Sequence, residues 1–313
     1  MKKKQQMLSG PGNRNGELYL LKVSQEMNAR DYIVYKQVQW AKNQGLELIG
    51  SKNKRGRKTY TKTLDENLFE PLSSKCRKEF LKGDGSELTE DSEFPSKMQA
   101  LHSSSALGVN IFQYWDTIQD VPTIAQSCCL CRNTTTTART ILFECKYPVE
   151  EGFRTSPNID VVIQNAPESQ YEVYAIECKF TEAYSSRGHA GLKRKYLDLD
   201  IWQSIPNLQK MAVEISPKDN RFEFLHAAQL IKHILGLRRA HGNKGFRLLY
   251  LWYDAFGGEG AKHRAEADEF MSAAKQDGIK FSSKTYQELV NNIAQNHRNS
   301  RQEYVEYITG RYL

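Results

Sequence analysis

Residues Arg139–Glu182 read RTILFECKYPVEEGFRTSPNIDVVIQNAPESQYEVYAIECKFTE, and this stretch decides the fold. It predicts three β-strands, at Ile141–Tyr147, Ile159–Gln164 and Glu172–Phe180, because β-branched and aromatic residues recur between turn-forming residues. Each predicted strand also carries a charged residue inside an apolar run. A charge on a half-buried strand is costly unless another group pairs with it.

The spacing of these charges predicts that they meet. Glu177 and Lys179 are two positions apart, so they share one face of a strand. A turn at Ala166–Ser169 would let two strands pair antiparallel and bring Asp160 beside Glu177. Two carboxylates and the backbone carbonyl of Cys178 would then offer oxygen ligands to Mg²⁺, with Lys179 close to a bound water. The alternative is a set of polar positions that face solvent.

Two segments carry a resemblance to a known family. NIDVVI at Asn158–Ile163, followed by AIECKF at Ala175–Phe180, resembles the PD-(D/E)XK, or restriction-endonuclease-like, nuclease superfamily. Pro157 lies three positions before Asp160, so the proline–aspartate pair of the motif is displaced. The resemblance implies an α/β (α+β) fold, with a mixed central β-sheet flanked by helices and a helical N-terminal extension. The predicted order of elements from about Met98 to Tyr253, roughly half of the chain, agrees with it.

The resemblance also implies a reaction. It implies a metal-dependent endonuclease that hydrolyses phosphodiester bonds in DNA, first of all a restriction or defence enzyme. A repair, recombination or mobile-element nuclease is the alternative, as is a non-catalytic nucleic-acid-binding protein on the same fold. The implied cofactor is Mg²⁺, with Mn²⁺ as a substitute. The implied catalytic residues are Glu144, Asp160, Glu177 and Lys179, and the implied metal ligands are Asp160, Glu177, Glu144 and Cys178.

The tripeptide ECK occurs twice, beginning at Glu144 and at Glu177. The first copy would need an acidic residue upstream, and the candidate, Asp120, lies in a poor strand before a proline. Asp160 stands at the head of a good strand, so we expect the second copy to be catalytic. Lys146 is then a decoy. Glu144 either joins the metal site or forms a salt bridge with Lys146 or a neighbouring arginine.

Family members carry a further polar residue on the helix after the third strand, and Gln203, Gln209 and Gln229 remain alternatives for it. The net charge of +7 fits a nucleic-acid partner. Basic segments at Lys52–Lys58 and Arg187–Lys195 are expected to lie near the substrate backbone, the second together with Tyr184.

Other site chemistries are weaker. Cys128, Cys129 and Cys131 form CCLC, which invites a zinc interpretation, but no second cysteine pair completes a structural zinc site. A zinc-based nucleic-acid-binding module therefore stays a rival hypothesis. A serine-hydrolase site at His102–Ser103 fails, because neighbours on a helix point to different faces.

The 313 residues suffice for one large or two modest domains. We predict a basic, mainly helical N-terminal region at residues 1–92 and a nuclease-like domain at residues 93–313. No apolar run approaches the ~18 residues that a membrane span needs, and the basic start lacks the apolar stretch of a signal peptide. We expect a cytoplasmic protein without a membrane partner, and a homodimer if both DNA strands are cut.

The other predicted elements are helices at Val23–Asn43 (capped by Ser24), from Ser73 or Ser74 to Phe80, and at Ser96–Trp115, Arg221–Arg239, His263–Gln276 and Thr285–Asn296, with strands at Phe246–Tyr253 and Ile279–Ser282.

Overall fold

A computed structural model describes residues 27–50, 58–89, 94–154, 156–185 and 188–313. Its strands are β1 (Leu48–Gly50), β2 (Lys58–Thr61), β3 (Ala138–Lys146), β4 (Asn158–Asn165), β5 (Val173–Lys179), β6 (Phe246–Trp252) and β7 (Phe281–Thr285). Its helices are α1 (Ala29–Asn43), α2 (Ser74–Lys82), α3 (Ser104–Thr117), α4 (Val121–Ser127), α5 (Arg194–Leu197), α6 (Pro206–Glu214), α7 (Ala227–His241), α8 (Gly257–Gln276), α9 (Tyr286–His297) and α10 (Gln302–Tyr312).

A five-stranded mixed sheet forms the centre of the protein, in the order β3-β4-β5-β6-β7. The first two pairings are antiparallel and the last two are parallel. Every residue of β5 is buried, as expected for a central strand that is covered on both faces. Helices flank the sheet, and β1 pairs with β2 in a separate small sheet. The predicted mixed α/β class and its mixed sheet are confirmed.

The predicted hairpin is present, and its register decides where the charged residues lie. Val161 is paired with Ile176 and Gln164 with Val173. Apolar side chains of β4 and β5 therefore fill the core. Asp160 and Glu177 lie at the same end of the strand pair, each one residue beyond the last paired position. The three strand predictions agree with the observed bounds to within a few residues.

Several helix ends differ from the predictions. Helix α1 begins at Ala29, where the side chain of Asn28 accepts a hydrogen bond from the amide of Asp31; Ser24 lies outside the described residues. Helix α3 begins only at Ser104, because Ser103 caps it. Helix α8 begins at Gly257, six residues before the predicted start at His263.

Further corrections lie in the second half of the chain. Helix α7 starts at Ala227, later than predicted, because residues 221–226 form an irregular connection with bends. Strand β7 covers Phe281–Thr285 and is shifted from the prediction. Helix α10 was missing from the prediction; its arginine, Arg311, is buried and contacts Asn67 through Nη2–Oδ1 at 2.5 Å.

The same core runs through both predicted regions of the chain. Phe80 packs against Phe143 with ring centroids 5.6 Å apart, and Ile33 and Leu72 belong to the cluster that includes the sheet. The boundary between residues 92 and 93 stays a prediction. Among the described residues, no helix combines the length and apolar character needed to cross a bilayer.

Candidate active site

Strands β4 and β5 separate where their charged residues lie. The ladder between them ends at the Val161–Ile176 pair. Beyond it, Oδ2 of Asp160 accepts a hydrogen bond of 2.7 Å from the backbone amide of Cys178. A side-chain carboxylate therefore replaces the backbone acceptor that a continued ladder would supply, and this holds Asp160 beside Glu177.

Glu177 is completely buried and has two close partners. Lys179 Nζ donates to its Oε1 at 2.5 Å, and Nε2 of His233 lies 2.9 Å from its Oε2. Burial alone would raise the pKa of Glu177, but the Lys179 charge and His233 outweigh it and hold this pKa below the ordinary value. Glu177 is thus a carboxylate at neutral pH.

Lys179 is nearly as buried as its partner, with 8% of its side chain exposed. Burial lowers the pKa of a lysine, yet here Glu177 and Asp160 raise the pKa above its ordinary value. Lys179 is therefore an ammonium ion held against the carboxylates.

The other two acidic residues behave in the opposite way. Burial, followed by the negative charge of Glu177, raises the pKa of Asp160 well above its usual range. Burial and the nearby charge of Glu87 raise the pKa of Glu144 to about 7. Like charges in a confined place disfavour ionisation, so these carboxyls lack sufficient positive charge around them.

Glu144 lies on the strand next to Asp160. Its neighbours Phe143 and Cys145 pair with Val161 and Ile159, so Glu144 stands across from Asp160. Its φ of 55° is in the left-handed region, which is unusual for a strand residue. Oε2 of Glu144 accepts a hydrogen bond from Nδ2 of Asn158. The local backbone thus turns this side chain towards the start of β4.

The structure separates the residues that compete for the site. Lys146 forms an ion pair of 2.6 Å with Asp84 and does not pair with Glu144. Asp120 precedes helix α4 and accepts a hydrogen bond from the hydroxyl of Thr123 at 2.7 Å. Asp120 therefore does not supply the upstream carboxylate that the first ECK would need.

The sequence did not predict two residues of the site. His233 lies on α7 and reaches Glu177, while Asn158 bonds Glu144. Asn158 stands within the quoted motif, and His233 is one of several polar residues on an amphipathic helix. Neither signal specifies the distant carboxylate that the side chain meets.

Of the three candidate glutamines, Gln229 lies nearest this chemistry. It shares a cavity lining with His233, one helical turn further along α7. Gln203 is exposed on a short 3-10 helix, and Gln209 lies on α6.

Two cavities open beside the site. One of about 590 Å³ is lined by Asn158, His226 and His233, among others. The other, of about 990 Å³, is lined by residues that include Arg30 and Tyr184. Glu182, Ser185 and Gly188 line both cavities, which therefore adjoin one another just after β5.

No group of three or more His, Cys, Asp or Glu side chains within the described ranges stands at metal-binding geometry. Cys178 contacts Asp160 through its amide, and its thiol is buried in the core. In the CCLC segment, Cys128 is buried, whereas Cys129 is exposed and accepts from Lys284 Nζ at 3.3 Å.

The two basic segments are only partly described. Residues 52–57 of the first, and Arg187 of the second, lie outside the described residues. Lys193, Arg194 and Lys195 are exposed near the smaller cavity, which Tyr196 lines.

Comparison with known proteins gives one match. The sequence model of a family described as "Restriction Endonuclease associating with ARP" matches residues 35–313, which is nearly the whole chain. Neither a curated protein nor a solved structure matches significantly. The match spans both the N-terminal helices and the sheet that carries Asp160 and Glu177. The chain therefore belongs to this restriction-endonuclease family.

Proposed function

We propose that the protein is a Mg²⁺-dependent endodeoxyribonuclease of the PD-(D/E)XK type, and that it acts in restriction or defence. One observation carries the proposal: Asp160, Glu177 and Lys179 converge where β4 and β5 separate, with Glu144 on the adjacent strand. Family membership supports a nuclease-like activity.

By their chemistry the carboxylates fit a hard divalent cation, but they would have to move closer together to bind it, since the described side chains do not stand at metal-binding geometry. Carboxylate oxygens are the ligands that Mg²⁺ prefers, and it keeps several waters. Asp160 and Glu144 both have raised pKa values because burial and neighbouring carboxylates disfavour their charge. A cation would relieve that repulsion, so we assign Asp160, Glu177 and Glu144 as its ligands. The backbone carbonyl of Cys178 remains a proposed fourth oxygen donor.

When bound, Mg²⁺ supplies Lewis-acid chemistry that polarises a phosphate and activates water. The protein residues provide position and charge. Lys179 keeps its proton, because its pKa is raised. It therefore orients a water and stabilises negative charge on phosphate oxygens, and it does not serve as the general base.

DNA is the proposed substrate, and the cytoplasm the proposed location. The excess of basic residues supports an anionic partner. A homodimer is proposed for double-strand cutting, because one site cuts one strand at a time. The family description names an association with ARP. A partner of that kind would bind in addition to DNA and a second copy of the chain.

A cleavage assay tests the proposal. Purified protein is incubated with supercoiled, linear and single-stranded DNA in Mg²⁺, Mn²⁺ or EDTA. We expect cutting in either metal and none in EDTA. Glu177→Gln and Lys179→Ala should each lose more than about 100-fold of the rate, since even outer contacts of a metal site contribute 10- to 100-fold.

The repeated ECK supplies a matched control. Lys146→Ala removes the same charge from the same tripeptide, on the strand pair next to the site. It should cut DNA at the wild-type rate. Metal-independent DNA binding without any cutting would support the non-catalytic alternative instead, and stoichiometric zinc in the purified protein would support the zinc-module alternative.

A further inference from the structure

The smaller cavity beside the site carries polar groups that lack partners. Nε2 of His226, Oδ1 of Asn158 and Nδ1 of His233 are buried without a hydrogen-bond partner among the described residues, and all three residues line this cavity. Buried polar atoms are nearly always satisfied in folded proteins. Three of them around one cavity indicate a ligand with both donors and acceptors.

The imidazole of His226 is also neutral at pH 7. Burial, followed by the charge of Lys179, lowers the pKa of His226 to about 3. A neutral imidazole offers one donor and one acceptor, and the amide of Asn158 adds an acceptor beside them. This is a pattern that suits the edge of a nucleobase.

A positive group stands at the same cavity. Lys232 is half-buried on α7, and no carboxylate of the described residues lies within ion-pair distance of its Nζ. Burial and the charge of Lys193 lower its pKa. The first turn of α7, with Ala228 and Gln229, lines the cavity too, and the positive end of a helix attracts anions. The ammonium group of Lys232 and the N-terminal end of α7 both suit a phosphate.

The size of the cavity limits its occupant. Tyr196, one of the lining residues, is buried beneath Lys232, whose Nζ lies 5.8 Å from the ring centroid, so its ring is not open to a stacked base. A volume of about 590 Å³ falls in the roughly 300–1,000 Å³ range of small-ligand sites, which suits one nucleotide and not a paired segment. Glu182 is the cavity's carboxylate, at its border with the larger cavity.

We infer that this cavity binds a single unpaired nucleotide of the DNA strand, adjacent to the phosphodiester that is cut. The inference rests on the proposed nuclease function and specifies its substrate. His233 joins the two places, because it lines the cavity and also contacts Glu177. The preferred substrate then has an unpaired nucleotide at the cut, as in single strands, gaps or flaps.

Direct binding gives the first test. Titration calorimetry in EDTA measures the affinity of the wild-type protein for dAMP, dCMP, dGMP and dTMP. Inorganic phosphate and deoxyadenosine probe the phosphate half and the nucleoside half of the nucleotide separately. We expect at least one nucleotide to bind more tightly than either half. Lys232→Gln should weaken it by about tenfold or more, because a charged hydrogen bond is lost. Gln229→Ala provides a second variant that retains all charges.

The control and the substrate test separate this inference from the proposed function. Lys244→Ala removes an exposed lysine just before β6, at the opposite end of the sheet, and should bind nucleotides normally. In cleavage, the wild type should favour a one-nucleotide gap over intact duplex, and Lys232→Gln should lose that preference. Nucleotide binding without any cutting would support the nucleotide site in this cavity but overturn the proposed function and, with it, the placement of that site beside a cut phosphodiester. Binding of phosphate as tight as any nucleotide, absence of nucleotide binding, or equal cutting of gapped and intact duplex would overturn the inference.

Discussion

Oδ2 of Asp160 accepts a 2.7 Å hydrogen bond from the backbone amide of Cys178, on the neighbouring strand. Cys178 stands between Glu177 and Lys179, so this one bond fixes the distance between the two halves of the motif. It also means that Asp160 has a structural role in addition to its charge. The two roles can be separated by substitution.

Asp160→Asn should preserve the fold while removing the chemistry. The amide oxygen of Asn can still accept from Cys178, and the repulsion from Glu177 disappears. We expect a melting temperature equal to or above that of the wild type in EDTA, together with loss of Mn²⁺ binding in titration calorimetry. Asp160→Ala should instead lower stability by about 1–3 kcal/mol, because the Cys178 amide loses its partner.

The exposed Asp198, which directly follows α5, gives the control for that pair. Asp198→Asn removes one negative charge from the surface and should change neither the melting temperature nor Mn²⁺ binding. Unchanged Mn²⁺ affinity in Asp160→Asn would exclude Asp160 as a ligand.

The buried pair of Lys179 and Glu177 predicts a strong coupling. Lys179→Met leaves a buried carboxylate with His233 as its remaining close partner, and breaking such a pair costs about 3–5 kcal/mol. Glu177→Gln together with Lys179→Met should recover much of that loss, since no charge is then left unpaired. Urea unfolding of the wild type, both single variants and the double variant measures the coupling.

Lys146→Met is the matched surface substitution and should stay within about 0.5 kcal/mol of the wild type. Additive losses in the double variant would mean that the two side chains do not interact. Stability must be measured beside cleavage, because an inactive Lys179 variant could simply be unfolded.

The local pattern of the sequence was sufficient to predict the sheet. Apolar runs rich in β-branched and aromatic residues and a turn at Ala166–Ser169 define the hairpin, and the hairpin brings Asp160 to Glu177. These are short-range properties that a sequence records directly. The mixed sheet follows from the buried apolar run of β6, which pairs parallel to β5.

Long-range contacts and backbone exceptions were beyond such reasoning. The approach of His233 to Glu177 depends on how α7 packs on the sheet, which no residue spacing specifies. The left-handed φ of Glu144 arises within a regular-looking strand. Helix α8 begins at a glycine pair that local preference assigns to a loop, because Gly257 adopts a positive φ of 71° as it enters the helix.

Glu144 predicts a pH dependence with a definite sign. Its pKa is about 7 in the folded protein, against an ordinary value of 4.5. Between these values the folded state binds more protons than the unfolded state, so stability falls as the pH rises from about 4.5 to 7. Glu144→Gln lacks this loss and should be the more stable protein at pH 8, by up to about 3 kcal/mol.

Urea unfolding at pH 5, 6, 7 and 8 in EDTA measures that difference. Glu306→Gln, on the exposed face of α10, should run parallel to the wild type at each pH. Parallel curves for Glu144→Gln and the wild type would contradict the assigned pKa. If Glu144 is a ligand, Mn²⁺ should bind the wild type more tightly above pH 7 than below it, and Glu144→Gln should lose that dependence.

Substitutions at two glycines distinguish an effect on the stability of the protein from an effect on the geometry of the site. A Cβ at Gly236, on α7, would stand 2.4 Å from the backbone oxygen of Tyr147, which cannot move without the end of β3. A Cβ at Gly83 would stand 2.9 Å from Oε2 of Glu144, the end of a flexible side chain. Gly236→Ala should therefore cost about 1–3 kcal/mol of stability. Gly83→Ala should unfold close to the wild-type urea concentration but displace the Glu144 carboxylate.

The measurable consequence of Gly83→Ala is a weaker Mn²⁺ affinity and slower cleavage, both in proportion to the role of Glu144. Its effect should vanish in a Glu144→Gln background, because the displaced group no longer carries charge. Additive effects of the two substitutions on Mn²⁺ affinity would show that Gly83 acts by another route. An intact affinity in Gly83→Ala would mean that Glu144 does not reach the metal, and the site would then rest on Asp160 and Glu177 alone.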